Sequence, residues 1–280
     1  MTNQTDLHMH TTASDGDLTP DALIDLAHEQ GLTTIAITDH DTTDGVVPAQ
    51  QAAAAHGITV LPGIELSAET EEDGDVHMLG YFINMDDAAF QKALEEFRER
   101  RYHRGRGMVR KLNELGVPLA WESVQAIAGD APIARPHIAR AMLKAGFVNE
   151  LQEAFDNYLA DDAPAYVSRH RMSPEEAVDL IHSAGGVAVL AHPGLVKRYE
   201  PILERLIPYG LDGIELNHPK NAPDVRERVK QFAEGTDLIL TGGSDFHRPD
   251  RADGAISLGT ENPPDDAVER LRAKAAERAG

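Results

Sequence analysis

Apolar residues recur along the chain at two spacings, one typical of helices and one typical of buried strands. An apolar stripe over residues 22–27 follows Thr19-Pro20, which reads as an N-cap and a proline at the first helical position. A continuous apolar strand over residues 33–38 comes next, and the same order returns over residues 46–61 and 173–240. Repeated alternation of helices and apolar strands predicts parallel strands covered by helices.

The middle of the chain lacks strand patterns and carries helical periods instead. These periods predict helices over Phe90–Leu115, Glu122–Ala128, Pro136–Ala145 and Asn149–Leu159. We therefore expect an α/β barrel formed by residues 1–85 and 166–280, with an all-α insertion domain over residues 86–165. A short strand over residues 255–258 and a charged C-terminal helix are predicted to complete the barrel domain.

Histidines and carboxylates follow the predicted strands at the points where the strands end. His8 and His10 are two residues apart, so in an extended strand both imidazoles point the same way. In parallel barrels the chemistry lies at the carboxyl ends of the strands, where these side chains would meet. The candidate metal ligands are His8, His10, Asp15, His40, Glu65, His77, His192, Asp245 and His247.

Nine candidate ligands are more than one metal ion needs. A catalytic zinc takes about three protein ligands, so the set indicates two or three divalent ions with a carboxylate such as Glu65 bridging them. Nitrogen and oxygen donors without sulfur suit Mn, Fe or Zn equally. Each residue alone could instead be an ordinary capping, loop or hydrogen-bonded strand residue, as His40 in Thr38-Asp39-His40-Asp41 illustrates. Asp6, Asp39 and Asp41 are expected to orient imidazoles through the second ring nitrogen.

Composition narrows the range of functions. The chain has 280 residues, 41% of them apolar, and no cysteine, which excludes disulfides, thiolate metal sites and cysteine nucleophiles. A formal charge of −21 argues against binding along duplex DNA. No signal peptide or membrane-spanning stretch is evident, so we expect a soluble, cytoplasmic protein that does not contact a membrane. Nothing in the sequence indicates an obligate protein partner.

Five motifs together resemble the PHP (polymerase and histidinol phosphatase) family. They are residues 6–11 (DLHMHT), 38–41 (TDHD), 63–65 (GIE), 191–193 (AHP) and 243–247 (GSDFH). The resemblance implies a distorted (β/α)7 barrel with a di- or trinuclear metal site. By motif position it implies three sets of ligands: His8, His10, Glu65 and Asp245; Glu65, His77 and His192; and Asp15, His40 and His247.

The resemblance also implies a reaction. In a metal-dependent phosphoesterase, metal-bound hydroxide attacks phosphorus, and paired ions hold the attacking and leaving oxygens. We expect a metal-adjacent side chain to protonate the leaving oxygen, the candidates being Asp15, His40, His192 and His247. The helical insertion resembles the branch that acts on nucleoside 3′,5′-bisphosphates or on the 5′ end of short RNA. The alternatives are a histidinol-phosphate-type phosphatase and a non-catalytic module that binds metal or nucleotide.

The insertion contains candidate substrate ligands. Arg135 and His137 stand at a predicted helix start, where free N–H groups and the helix dipole favour an anion such as a second, uncleaved phosphate. A helix-start salt bridge is the equally good alternative. Arg169 and His170 are weaker candidates of the same kind. The basic run from Arg98 to Lys111 is best explained as a solvated helix face.

Overall fold

The computed structural model describes residues 4–70, 72–161, 163–167, 172–249 and 258–279. They form two compact units: residues 1–91 with 171–280, and residues 92–170. The domain boundaries predicted from the sequence were 85/86 and 165/166. In the described residues, the first unit contains one seven-stranded sheet whose strands are neighbours in chain order. The strands are β1 (Thr5–Asp6), β2 (Thr34–Ile37), β3 (Thr59–Thr70), β4 (Gly74–Tyr81), β5 (Val187–Leu190), β6 (Gly213–Asn217) and β7 (Ile239–Gly242).

One strand runs against the others. β4 pairs antiparallel with both β3 and β5, whereas the remaining neighbours pair in parallel. The general prediction of parallel strands does not hold at β4, where the acidic residues 69–75 indicate a hairpin-like turn in the sequence. The reason is the short connection after Thr70, since antiparallel strands can be joined by a tight turn while parallel strands need a long crossover. The β3–β4 hairpin is paired from Gly63 opposite Tyr81 to Thr70 opposite Gly74.

The sheet nearly closes into a barrel between its first and last strands. Leu7 N donates to Gly242 O (3.2 Å), and His10 N donates to Phe246 O (2.9 Å). A parallel bridge also joins Met9 to Phe246. A distorted seven-stranded α/β barrel is thereby confirmed. Its closure lies beside the Asp6–His10 segment, which is how residues near position 8 come next to residues near position 245.

Apolar side chains from most of the strands fill the barrel and hold it together. The buried cluster takes Ala36 from β2, Leu61 from β3, Leu79 and Tyr81 from β4, Val187 and Val189 from β5 and Ile239 from β7, together with Leu7 and Leu271. Burying a side chain of this size contributes about 1.5–3 kcal/mol. The Tyr81 hydroxyl is satisfied in this apolar setting because it donates to Leu7 O (2.9 Å).

Helices surround the strands of the first unit, and two of them, α1 and α7, begin with a side-chain cap. In the described residues they are α1 (Pro20–Glu29), α2 (Val46–Ala53), the first turns of α3 (Ala88–Glu114), α7 (Pro174–Ser183), α8 (Tyr199–Tyr209), α9 (Pro223–Ala233) and α10 (Ala267–Ala279). Thr19 caps α1, and Ser173 with Glu176 forms the capping box of α7, as predicted. The strand predicted over residues 255–258 lies mostly outside the described residues.

The second unit is helical where it is described. It contains the rest of α3, α4 (Trp121–Ala128), α5 (Arg135–Lys144), α6 (Leu151–Ala154) and a π-helical turn over Phe155–Leu159. Trp121 and Tyr158 pack on its own apolar core. Within the described residues of the whole chain, no helix combines the length and apolar character that crossing a membrane requires.

Candidate metal centre

The Glu65 carboxylate is the hub of a buried cluster of imidazoles. Its Oε2 lies 3.2 Å from His8 Nε2, 3.1 Å from His10 Nε2 and 3.2 Å from His40 Nδ1. Its Oε1 faces a second set, with His77 Nδ1 at 2.8 Å and His192 Nε2 at 3.0 Å. The two oxygens therefore face two different groups of nitrogen ligands, the arrangement expected of a carboxylate that bridges two cations.

The β3–β4 hairpin sets the position of this hub. Glu65 and His77 lie inside β3 and β4 and not at strand ends, which corrects the sequence-based placement of both residues. The pairing of β2 with β3 ends at Pro62, so Glu65 already lies beyond the end of β2 and forms an isolated bridge with His40. Because β4 runs in the opposite direction, its first half reaches the same edge of the barrel.

Asp245 closes the first ligand group. Its Oδ1 lies 3.4 Å from His8 Nε2 and 3.2 Å from His10 Nε2. Ligand atoms about 2.1 Å from an ion are about 3.0 Å apart along the edge of an octahedron and about 3.4 Å apart along that of a tetrahedron. The four contacts of the two imidazoles with Glu65 and Asp245 fall between 3.1 and 3.4 Å, so one ion fits among these side chains.

A further group surrounds Asp15. Ligand atoms from His10, Asp15, His40 and His247 lie within 4.8 Å of one another. His247 Nε2 is 3.3 Å from Asp15 Oδ1, while His247 Nδ1 lies 2.9 Å from the backbone carbonyl of Asp245. Since a carbonyl only accepts, Nδ1 carries the proton and Nε2 presents its lone pair, as a metal-binding histidine requires.

Several of these nitrogens are buried without a hydrogen bond. Both ring nitrogens of His10, Nδ1 of His40 and Nδ1 of His192 have no hydrogen-bond partner among the described residues. Leaving a buried polar atom unsatisfied costs about 1–3 kcal/mol, so such atoms are usually paired. A cation bound between these nitrogens of His10 and His40 and the nearby carboxylate oxygens would satisfy both. The donor set of imidazoles and carboxylates suits a divalent metal.

The charges of the site favour a cation as well. Burial would raise the pKa of Glu65, but the imidazoles of His40, His8 and His77 outweigh it and hold that pKa well below its usual range. The same balance keeps the pKa of Asp15 and of Asp245 well below the usual range, with His247 contributing to both. The carboxylates therefore stay ionised at neutral pH.

The pKa values of the buried imidazoles are shifted in two directions. Burial opposes a charge on His10, but Asp245 and Glu65 raise its pKa to about 10. Burial is likewise outweighed at His8, whose pKa is raised well above its usual range by Glu215, Glu65 and Asp245. At His40 burial prevails and lowers the pKa to about 3. A metal ion must therefore displace protons from His8 and His10 when it binds.

Two of the three aspartates expected to orient imidazoles accept hydrogen bonds from backbone N–H groups and hydroxyls instead. Asp6 accepts hydrogen bonds from the backbone N–H groups of His8, Ser244 and Gly259. Asp39 accepts from Thr11 N, Thr11 Oγ1 and Ser14 Oγ, which shapes the loop carrying Asp15. Asp41 accepts from Ser67 N. For Asp6 and Asp39 the prediction is wrong, since their carboxylates hold chain segments in place.

Two residues of the site were missed by the sequence analysis. Glu215, in β6, lies 2.9 Å from His8 Nδ1, and His218 Nε2 lies 3.4 Å from Asp245 Oδ2. Both side chains are buried. A glutamate within an otherwise apolar buried strand was the available signal, because a buried carboxylate needs a partner.

The insertion residues have local partners within the helical unit. Arg135 forms an ion pair with Asp161 (2.8 Å), and the Nδ1 atom of buried His137 accepts a hydrogen bond from Ala134 N (3.1 Å). Arg169 and His170 lie outside the described residues. From the basic run, Arg104 and Lys111 donate to the backbone carbonyls of Val167 and Tyr166.

The chain is similar to known proteins over most of its length. The family model of the PHP domain matches residues 6–161. The chain is 36% identical over 250 residues to the 5′-3′ exoribonuclease Rnm of Salmonella typhimurium, covering 87% of this chain and 85% of that protein. It is 34% identical over 264 residues to the 3′,5′-nucleoside bisphosphate phosphatase of Chromobacterium violaceum, covering 92% of each. A solved structure from Bifidobacterium adolescentis, itself inferred to be a metal-dependent phosphoesterase, superimposes with a TM-score of 0.87 at 34% identity, covering 96% of both chains.

The barrel and its buried ligand cluster define a metal-dependent hydrolase. The chain belongs to the PHP domain family, and it is a metal-dependent phosphoesterase.

Proposed function

We propose that this phosphoesterase hydrolyses the P–O3′ bond that follows a 5′-terminal nucleotide, either in a nucleoside 3′,5′-bisphosphate or at the 5′ end of a short RNA. Its similarity both to a 5′-3′ exoribonuclease and to a 3′,5′-nucleoside bisphosphate phosphatase supports this choice. The two activities can share one reaction. Water adds to phosphorus, the P–O3′ bond breaks, and the 3′ oxygen leaves with a proton, so the bisphosphate is the shortest member of one substrate series.

The observation that carries the proposal is the position of Glu65 between two sets of imidazoles. We propose that His8, His10, Glu65 and Asp245 hold one ion and that Glu65, His77 and His192 hold a second. Asp15, His40 and His247, beside His10, would hold a third. When bound, two or three Mn, Fe or Zn ions would supply Lewis acidity at the phosphoryl oxygens and acidify water at neutral pH.

The chain's own groups supply proton transfer and positioning. The side chain of His247 is about a quarter exposed, whereas that of Asp15 is almost completely buried, so the imidazole is the more accessible of the two. With ions at the first two groups only, Asp15, His40 and His247 hold no metal, and we propose that His247 then delivers the proton to the leaving oxygen. The buried His8 and His10 contribute ligands only, since both are fully shielded from solvent.

The uncleaved 5′ phosphate needs its own ligands. We propose Arg135 and His137 for this role, with Arg169 as a further candidate, because arginine grips phosphate with two parallel hydrogen bonds. Asp161 competes for Arg135 in the free protein. An R135A variant should raise KM for a bisphosphate more than for a nucleoside 3′-monophosphate. K144A, an exposed change on the same helix, should alter neither value.

Hydrolysis in 18O-labelled water tests the proposed reaction. The Mn2+-loaded protein should convert adenosine 3′,5′-bisphosphate to AMP and labelled inorganic phosphate. From a 5′-phosphorylated tetranucleotide RNA it should release an unlabelled 5′-mononucleotide, and the label should enter the new 5′ phosphate. No turnover of either substrate by protein with its metals bound would refute the proposal, and faster turnover of histidinol phosphate would establish the alternative phosphatase.

A further inference from the structure

The Glu215 carboxylate binds two different parts of the metal centre at once. Its Oε1 lies 2.9 Å from His8 Nδ1, and its Oε2 accepts a hydrogen bond from the backbone N–H of His192 (2.7 Å). The side chain is fully buried. His192 has a backbone φ of +26°, an unfavourable value for a residue with a side chain, so the Glu215 contact fixes a strained segment.

This contact determines which ring nitrogen of His8 faces the metal position. An ionised carboxylate only accepts hydrogen bonds, so His8 Nδ1 must carry a proton. In the neutral ring, Nε2 then keeps its lone pair, and this is the atom that points toward Glu65 Oε2 and Asp245 Oδ1. Glu215 thus fixes the tautomer of His8 that leaves Nε2 free as a ligand atom.

His218 is related to Asp245 in a similar way. Its Nδ1 accepts a hydrogen bond from the backbone N–H of Lys220 (3.0 Å), so in neutral His218 the proton is on Nε2. That nitrogen lies 3.4 Å from Asp245 Oδ2. Although His8, Glu215 and His218 are close enough together to suggest a separate metal site, a protonated Nε2 cannot be a ligand. His218 is therefore a donor that orients Asp245.

We propose that Glu215 and His218, three residues apart on β6 and the following loop, are positioning residues that orient His8 and Asp245 for the first metal ion. The inference rests on the metal centre of the proposed function. Partners of this kind usually change metal affinity by about 10- to 100-fold when they are replaced.

An E215Q substitution has a distinctive expected effect. The backbone N–H of His192 cannot give up its proton, so the amide oxygen of glutamine must face it. The NH2 group then faces His8 Nδ1, which can satisfy it only by becoming an acceptor. That change moves the His8 proton to Nε2, the nitrogen aimed at the metal. The shape-preserving E215Q should therefore weaken metal binding at least as much as E215A does. If Glu215 acted only by packing, E215Q would weaken it less than E215A.

The test is Mn2+ binding to the chelator-stripped full-length protein, followed by electron paramagnetic resonance of free Mn2+. D212N is the matched control, because Asp212 is a buried carboxylate near β6 whose partners are His182, Arg278 and Ala188 N. We expect E215Q to lose about 10- to 100-fold in affinity at one site. D212N should keep the affinity of the unmodified protein even if its Tm falls further.

Two results would overturn the inference. One is an E215Q protein with unchanged Mn2+ affinity, and the other is an equal loss in D212N, which would make Glu215 merely structural. Either result leaves the proposed function standing, whereas an unmodified protein that binds no Mn2+ would refute both.

If E215Q does not fold, two variants of His218 provide the same test. H218Q keeps an N–H donor near the position of Nε2 and should stay within about threefold of the unmodified affinity, while H218L should lose about tenfold. Equal affinities in H218Q and H218L would contradict the inference.

Discussion

Glu65 offers the sharpest perturbation of the metal centre. Its two oxygens contact five imidazoles, three through Oε2 and two through Oε1. An E65Q substitution preserves the shape of the side chain but removes its charge and replaces one of the two oxygens by an NH2 group. Whichever way the amide turns, one set of imidazoles loses its carboxylate partner. We therefore expect one ion to be lost outright and the other to be held more weakly.

The size of the effect follows from the charge. Two unit charges about 4 Å apart interact by about 4 kcal/mol at an effective dielectric constant of about 20. At about 1.4 kcal/mol per factor of ten, this corresponds to about a thousandfold in affinity. The loss of interaction energy is larger for a doubly charged ion than for a unit charge. We expect E65Q to lower both Mn2+ affinity and kcat/KM by at least about a thousandfold.

The assay is phosphate release from adenosine 3′,5′-bisphosphate at a series of Mn2+ concentrations, with bound Mn2+ counted on the same samples. D212N, which replaces a buried carboxylate outside the cluster, serves as the control and should keep its metal content. An E65Q protein that retains the full number of ions, or more than about a tenth of the kcat/KM, would refute the bridging role of Glu65.

The remaining predictions concern stability and packing. The pKa of His8 and of His10 is raised in the folded, metal-free protein, so the stabilisation that these groups give is complete below about pH 6.5 and is lost as the pH rises toward about 10. The Tm of the metal-free protein should therefore fall over this range, while the Tm of the Mn2+-loaded protein should not change. A Tm of the metal-free protein that stays constant over this range would contradict the raised pKa values. R278L removes one of the three partners of buried Asp212 and, since Arg278 is about a quarter exposed, should cost about 1–2 kcal/mol, measured by urea unfolding, without changing Mn2+ affinity. In G243A the added Cβ would lie 2.4 Å from both N and Cβ of His8, so His8 must move. Mn2+ titration should therefore show weakened binding at the first site. Unchanged binding would show that the barrel closure tolerates the movement of His8.

Most of the fold could be predicted from the sequence because local patterns determine it. The apolar runs of β5 and β6 and the caps at Thr19 and Ser173 appear where the sequence places them. The direction of β4 could be inferred only from the acidic, hairpin-like turn over residues 69–75, because a run of apolar residues carries no sign of direction. That direction depends on the short Thr70–Gly74 connection.

The site was predictable to the extent that strand ends converge, which holds for the candidate ligands other than Glu65 and His77, since these two lie inside β3 and β4. The structure gathers all nine candidate ligands around Glu65 and Asp15, and each lies in the contact network of these two carboxylates. Glu215 could not be assigned in this way because its partners, His8 and the His192 backbone, are distant in sequence. The roles of Asp6 and Asp39 likewise depend on backbone N–H groups and hydroxyls whose positions no sequence pattern identifies.

The most direct test is a crystal of the Mn2+-soaked protein measured at the manganese absorption edge. We expect anomalous peaks on both sides of Glu65, one shared with His8, His10 and Asp245 and one with His77 and His192. If the imidazoles and carboxylates keep this arrangement and no anomalous density lies among them after soaking, the cluster is not a metal centre.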